Sequence, residues 1–217
     1  MQALYVLSTS NNDPETKNTI INFIKSNGIR IHRWLAEGEY SQWAIECKPI
    51  NKDINYQLLN KTAEQLGLDI NLVSETKRRK KLLLADMDST LIKGESLDEI
   101  ANKVGIGEEI SKITSQTMNG RLDFKQSIIQ RVSLLKGVKV AILEEVFKEI
   151  NLNGGASLLA PTMKKNGAFC YILSGGFDFF TEKIARQLGF EGSFSNSIEV
   201  KKSKLTGNVI PPILGMN

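Results

Sequence analysis

Histidine is nearly missing from this chain: one residue, His32, stands among 217. It lies well upstream of the carboxylate pair described below, so a serine-histidine-aspartate triad, a histidine nucleophile and a two-histidine zinc site all lack their parts. Cysteine is almost as scarce. Cys47 and Cys170 show no Cys-x-x-Cys spacing, and neither is followed by the arginine that a cysteine-nucleophile phosphatase requires. They read as reduced core thiols of a cytoplasmic protein. No Gly-x-x-x-x-Gly-Lys-Ser/Thr loop occurs. The amino-terminal MQALYVLSTSNND has no charged leader region and too short an apolar run for a signal peptide, and no stretch is apolar for long enough to span a membrane. Charge of one sign is not abundant either, with 28 Lys plus Arg against 24 Asp plus Glu and a net charge of +4. Much of that surplus sits in the run from Lys77 to Lys81. The run reads as a solvated linker and not as a nucleic-acid contact, because no aromatic-studded basic face accompanies it. Carboxylate and metal chemistry remains.

The stretch that offers such chemistry is Lys81 to Glu95, KLLLADMDSTLIKGE. Leu82, Leu83, Leu84 and Ala85 form an unbroken apolar run of the length and kind expected for a buried parallel strand. Asp86 and Asp88 follow, two apart, so in extended geometry their side chains share one side while Met87 points away. In open α/β sheets ligands bind beyond the carboxyl ends of the strands, which is where this pair falls. Two carboxylates so close need a proton or a cation, and a hard oxygen-ligated ion such as Mg2+ would neutralise them and recruit a phosphate. One carboxylate can then attack phosphorus while the other moves the proton. An Asp-x-Asp pair is equally at home in a solvated turn or a helix cap. A second arrangement bears on the choice. The apolar run from Ala168 to Leu173 ends on Ser174, Gly175 and Gly176, and Asp178 then opens a helix with Phe179, Phe180, Ile184 and Leu188 inward. A hydroxyl and bare backbone amides at that point can donate to phosphate oxygens, although a generic turn uses the same residues.

Around these strings the chain reads as two domains, 1–76 and 77–217. The first shows a strand at Leu4 to Ser8, then a helix with Asp13 as N-cap, Pro14 at its first position and Ile20, Phe23 and Ile24 as its apolar face. Two strands follow, Ile29 to Leu35 and Tyr40 to Cys47, joined across Glu37 to Glu39. A helix from about Lys52 to Leu66 with Ile54, Leu58 and Leu66 inward and a last strand, Leu68 to Val73, complete a βαββαβ order, that of a ferredoxin-like α+β sandwich. In the second domain Ser96 and Glu99 have capping-box spacing ahead of an apolar side made by Leu97, Ile100, Ala101 and Val104. Helical patterns continue over Ile110 to Met118 and Phe124 to Leu135. Pro161 falls inside a further helix from about Ala156 to Lys165, where it should kink the helix or delay its start.

DMDSTL followed by Glu95 resembles motif I of the haloacid dehalogenase-like phosphatases, and among them the phosphoserine phosphatase group. YILSGGFDFF resembles motif II, and Ser193 to Val200 with Leu205 to Gly207 resembles the stretch that follows it in that family. The resemblance runs from Lys80 to about Gly207. It implies an α/β, Rossmann-like core with a helical cap over about 95–152, and Mg2+-dependent hydrolysis of a small molecule, O-phosphoserine, in serine biosynthesis. Asp86 would attack phosphorus, Asp88 would give and take the proton, and both would hold the metal. Glu95 would receive the substrate ammonium and Arg131 its carboxylate. Met118 and Phe124 would line the pocket, and Ser174, Gly175 and Gly176 would hold the phosphate. The amino-terminal domain resembles the ACT-like regulatory domain found ahead of the catalytic part in many bacterial members, with a homodimer as one assembly that it allows.

The chain departs from the family pattern after Gly207. It reaches Asn217 without a motif III lysine or a motif IV segment of the GDGxND type, and Lys201, Lys202 and Lys204 precede the LTG string. The expectation that follows is an incomplete core, a weakly held metal and poor turnover. The alternative is a non-catalytic amino-acid-binding protein whose phosphatase half is inactive.

Overall fold

The computed structural model describes residues 3–11, 13–38, 42–50, 54–74, 76 and 79–215. Glu39 and Tyr40 at the first hairpin, Lys52 at the expected start of the second helix, Lys77 and Arg78 of the basic run, and the terminal Met216 and Asn217 lie outside the described residues. The chain divides into two compact units, Met1–Arg79 and Lys80–Asn217.

The first unit runs β1 (Ala3–Ser10), α1 (Thr16–Ser26), β2 (Ile29–Glu37), β3 (Gln42–Pro49), α2 (Tyr56–Gln65) and β4 (Asp69–Ser74). Its strands form a four-stranded sheet in the order β2-β3-β1-β4, with antiparallel neighbours throughout. That is the split βαβ, or ferredoxin-like, arrangement. Ile20, Phe23 and Ile24 of α1 pack with Leu59 and Ala63 of α2 on Tyr5, Leu7, Ile45 and Cys47 of the sheet. Two details differ from the sequence reading. Helix α1 begins at Thr16, because the Asp13 carboxylate takes the Glu15 N–H at 2.8 Å and its carbonyl takes the Thr16 N–H at 3.0 Å, making a turn of the first residues. Helix α2 faces the core with Leu59 and Ala63, while Leu58 and Leu66 are exposed. The Asn55 side chain caps it by accepting the Leu58 N–H at 3.2 Å, and Ile54 packs against the core as expected, while packing on the sheet selects Leu59 in place of its neighbour Leu58.

The second unit runs β5 (Leu82–Ala85), α3 (Ser96–Lys103), α4 (Gly107–Met118), α5 (Phe124–Leu134), α6 (Val140–Glu149), α7 (Ala156–Lys165), β6 (Phe169–Phe177), α8 (Asp178–Leu188), β7 (Gly192–Lys201) and β8 (Lys204–Ile210). The sheet order is β5-β6-β7-β8, parallel from β5 to β7 and antiparallel between β7 and β8. Helix α7 starts at Ala156 although Pro161 lies inside it. Gly155, in the left-handed region at φ 85°, turns the chain into it.

Strand β5 is not buried on both faces. Leu82 and Leu84 are 52% and 53% exposed, while Ala85 is buried. Phe169, Leu173 and Phe194, at matching register on β6 and β7, are exposed on the same face. The helices of this unit cover the opposite face, where Cys170 and Ile172 pack against Phe180, Ile184 and Leu188. An unbroken apolar run cannot distinguish a strand covered twice from one covered once, because periodicity is invisible when every residue is apolar.

Helices α3 to α6 form an insert between β5 and β6, closed at its neck. Ile92 and Leu152 form an antiparallel bridge, and Asn153 donates through its side-chain amide to the carbonyls of Thr90 at 2.9 Å and Ile92 at 3.0 Å. The far end of α5 rests on the β7–β8 hairpin. There the Gly137 N–H reaches the Leu205 carbonyl, and a Cβ on Gly207, at φ 88°, would meet Lys136 Cβ at 3.0 Å.

Candidate active site

The end of β5 delivers Asp86, Met87 and Asp88 in that order, with Met87 fully buried and the carboxylates turned to the other side. The chain then tightens. The N–H groups of Thr90, Leu91 and Ile92 all reach the Met87 carbonyl, and Ser89 adopts a left-handed conformation at φ 52° with its N–H on the Gly94 carbonyl at 2.8 Å. This compact turn returns the chain to Glu95 beside the strand end. Ser89 Oγ donates to Glu95 Oε1 at 2.7 Å and so fixes one oxygen of that carboxylate.

Ser96 does not make the capping box that its spacing to Glu99 predicts. Glu95 occupies the N-cap of α3 without a side-chain cap, and the Ser96 N–H donates to Asp88 Oδ1 at 2.7 Å. A carboxylate from the strand end thus satisfies one of the orphan donors of the helix and sits at its positive end. Tertiary contact has replaced a local cap, and the same contact fixes the orientation of Asp88.

The serine-glycine segment arrives from β6. Ser174 is buried and its Oγ lies 3.5 Å from Asp88 Oδ2, while the Gly176 N–H donates to Ser174 Oγ at 2.9 Å. Both glycines are required by space. A Cβ on Gly176 would stand 2.7 Å from Asp88 Oδ2, and one on Gly175 would stand 2.8 Å from Phe124 Cζ.

These groups line one cavity of about 150 Å³, whose walls include Asp86, Asp88, Glu95, Ser96, Phe124, Arg131 and Ser174–Phe177. Arg131, from α5 of the insert, has a buried Nε with no hydrogen-bond partner among the described residues. Burial pulls its guanidinium pKa down, and the charges of Asp98, Glu95 and Asp88 oppose that shift. Burial pushes the Asp88 carboxyl pKa up; the Ser96 hydrogen bonds work against this, and the nearby charges of Glu95 and Asp86 add to it. The cavity therefore combines crowded carboxylates with a partly desolvated cation whose Nε has no hydrogen-bond partner among the described residues.

Of the residues singled out in the sequence, Asp86, Asp88, Glu95, Phe124, Arg131, Ser174, Gly175 and Gly176 meet here. Met118 does not. It ends α4, is 84% exposed and is not among the cavity-lining residues. Sequence reasoning also passed over Ser96 as the partner of Asp88, Ser89 as the partner of Glu95, and Leu97, Ile128 and Phe177 as lining residues. Ser89 was legible as part of the DMDSTL string. The roles of the others depend on pairings between distant segments and left no local signal.

As to a metal, the described residues contain no cluster of three or more His, Cys, Asp or Glu side chains. Asp86 and Asp88 nevertheless offer hard oxygens at a crowded acidic point, which fits Mg2+, an ion commonly held by one or two carboxylates with water and phosphate completing its shell.

A family model for haloacid dehalogenase-like hydrolases matches residues 83–215, more than half of the chain and the whole of this site. The chain belongs to that family. Among its haloacid dehalogenase-like relatives, the phosphoserine phosphatase of Archaeoglobus fulgidus is 40% identical over 153 residues, covering 70% of this chain and 44% of that one. That of Methanocaldococcus jannaschii is 42% identical over 140 residues, covering 64% of this chain and 66% of the relative. The chain thus spans between about two fifths and two thirds of the length of these relatives. Among solved structures, a haloacid dehalogenase family hydrolase from Salmonella enterica serovar Typhi superposes with a TM-score of 0.82 at 27% identity, over 98% of this chain and 74% of that one. A substrate-bound phosphoserine phosphatase complex superposes with a TM-score of 0.57 at 42% identity, over 61% and 63%.

Proposed function

We propose that the second unit is a phosphomonoester hydrolase site for O-phosphoserine, releasing serine and inorganic phosphate in serine biosynthesis. The observation that carries this reading is the convergence, in one cavity, of Asp86 and Asp88, the Ser174–Gly176 donors, Glu95, and Arg131, whose buried Nε has no hydrogen-bond partner among the described residues. Each half of the cavity fits one half of the substrate. A guanidinium whose buried Nε has no hydrogen-bond partner among the described residues suits a substrate carboxylate, which it can grip in bidentate fashion, and Glu95, already fixed by Ser89, suits an ammonium. Relatives that are 40% and 42% identical carry the name phosphoserine phosphatase, which supports the same assignment.

In this mechanism the Asp86 carboxylate attacks phosphorus, forming an aspartyl-phosphate as the bond to the serine oxygen breaks. Asp88, whose pKa is raised by burial, delivers its proton to that departing oxygen. The now ionised Asp88 then takes a proton from water, whose oxygen attacks phosphorus and breaks the bond to Asp86, restoring the Asp86 carboxylate and the protonated Asp88. Ser174 Oγ and the Gly175 and Gly176 amides hold the peripheral phosphate oxygens as charge shifts among them. Mg2+ held by Asp86 and Asp88 would offset their mutual repulsion and the charge of the phosphate. The α3–α6 insert contributes Phe124 and Arg131 to the walls of the cavity.

The first unit, with its ferredoxin-like strand order, fits an ACT-like regulatory or dimerisation module. Two buried free thiols, Cys47 and Cys170, fit a reducing, cytoplasmic setting, and no helix among the described residues is long and apolar enough to cross a membrane. The deciding measurement is phosphate release from O-phosphoserine with Mg2+, alongside binding of the same compound by calorimetry. Asp86→Asn should abolish release and keep binding. A wild-type chain that neither binds nor hydrolyses O-phosphoserine would overturn the assignment.

A further inference from the structure

The serine-glycine segment interrupts the parallel ladder between β6 and β7. Pairing runs from Tyr171 with Gly192 to Leu173 with Phe194, stops, and resumes at Phe177 with Asn196. Four residue steps on β6 therefore stand against two on β7, and Ser174, Gly175 and Gly176 bulge from the sheet toward the cavity. A bulge loses the ladder bonds that would hold its peptides, so their orientation needs another source.

Asn196 supplies it. The residue is fully buried, at 0% exposure. Its side-chain amide donates to the Gly175 carbonyl at 2.9 Å and to the Leu214 carbonyl at 3.2 Å, and its Oδ1 accepts the Leu214 N–H at 2.8 Å. The peptide joining Gly175 and Gly176 is planar and trans, so its carbonyl and N–H point in opposite directions. Pinning the Gly175 carbonyl toward Asn196 turns the Gly176 N–H the other way, toward Ser174 Oγ at 2.9 Å and the cavity. The same amide draws the 213–215 segment alongside, and a Cβ on Gly215 would stand 2.6 Å from Phe124 Cδ1, the ring that also abuts Gly175.

We propose that Asn196 is a positioning residue for phosphate binding: its carboxamide fixes the Gly175–Gly176 peptide so that the Gly176 N–H holds Ser174 Oγ in place at the cavity wall, and it locks the 213–215 segment to the bulge. The proposal rests on the reading of Ser174–Gly176 as a phosphate site. It assigns Asn196 no contact with substrate, so its effect must pass through the Gly175–Gly176 peptide.

The test is calorimetric binding of inorganic phosphate to the wild-type chain, Asn196→Asp and Asn196→Ala, each with its melting temperature. Asn196→Asp is nearly isosteric and can still accept the Leu214 N–H, yet it sets a carboxylate against two carbonyls. Loss of the two donated bonds should weaken phosphate binding roughly 10- to 100-fold. A role confined to stability would lower the melting temperature and leave the dissociation constant of the folded variant within twofold of wild type, which overturns the inference alone. A wild-type chain that binds no phosphate overturns the phosphate-site reading and the inference with it. A second measurement needs no variant: amide exchange of the wild-type chain with and without phosphate. Linked slowing of the Gly176 and Leu214 amides supports the coupling, whereas slowing of Gly176 with Leu214 unchanged refutes it.

Discussion

Replacing Gly176 by alanine tests the geometry of the site most directly. The added Cβ would lie 2.7 Å from Asp88 Oδ2, 3.1 Å from Ser174 Oγ and 3.4 Å from Met87 Cε. The first contact is about 0.7 Å shorter than non-bonded atoms ordinarily permit. Asp88 cannot retreat freely, because its other oxygen is held by the Ser96 N–H at 2.7 Å, and Met87 behind it is fully buried. Either the Ser96 bond stretches or the bulge shifts, at a cost of about 1–3 kcal/mol for overpacking. In a unit of this size that lowers the melting temperature by roughly 3–10 °C. A displacement of this order at the proton-transfer group should reduce the rate of phosphate release about 100-fold. Circular dichroism melts and a phosphate-release assay read the two effects. Gly154→Ala is the control, since a Cβ there meets nothing within 4 Å, and it should change neither. A Gly176→Ala chain that melts within 1 °C of wild type and turns over at the wild-type rate would refute the placement of Asp88 against the bulge.

Arg131→Lys keeps a positive charge and loses the planar fork. It should raise the KM for O-phosphoserine roughly 10- to 100-fold while leaving inorganic phosphate affinity within about threefold, and equal losses on both ligands would argue against a carboxylate partner. Met118→Gln should leave KM unchanged, because the side chain is 84% exposed and outside the cavity; a KM changed fivefold or more would contradict that placement. The Glu199 carboxyl is held at about 2 by Lys201, the Asn208 side chain and the Thr206 hydroxyl. Because its folded pKa lies below the ordinary 4.5, its stabilisation is present above pH 4.5 and is lost as pH falls toward 2. Glu199→Gln should flatten the fall in melting temperature across that acid range, and an unchanged slope would refute the assignment.

Much of the site was legible as a string. Asp86 and Asp88 share a side because strand geometry alternates, and the end of the apolar run marks Ser174–Gly176, although β6 does not stop there as expected but continues past them to Phe177. These are local rules and need no partner. The ferredoxin-like order of the first unit was legible for the same reason, since each of its elements carries its own period and punctuation. The inward face of α2 was not, because Leu58 and Leu59 are equally apolar and only packing on the sheet chooses between them.

What the string could not contain was pairing at a distance. The capping signal at Ser96 was real, yet Asp88, eight residues away, took the backbone donor and turned a local cap into part of the site. Met118 carries the right chemistry for a pocket wall, but the end of α4 points it into solvent. Asn196 announced nothing, since a buried carboxamide acquires its role only when β7, the bulge and the 213–215 segment meet around it. Residue order sets which groups a strand end or turn can present, because those geometries repeat every two or four residues. Which of them face one another, and which hydrogen bonds remain unanswered, is settled only when separate segments exclude water between them.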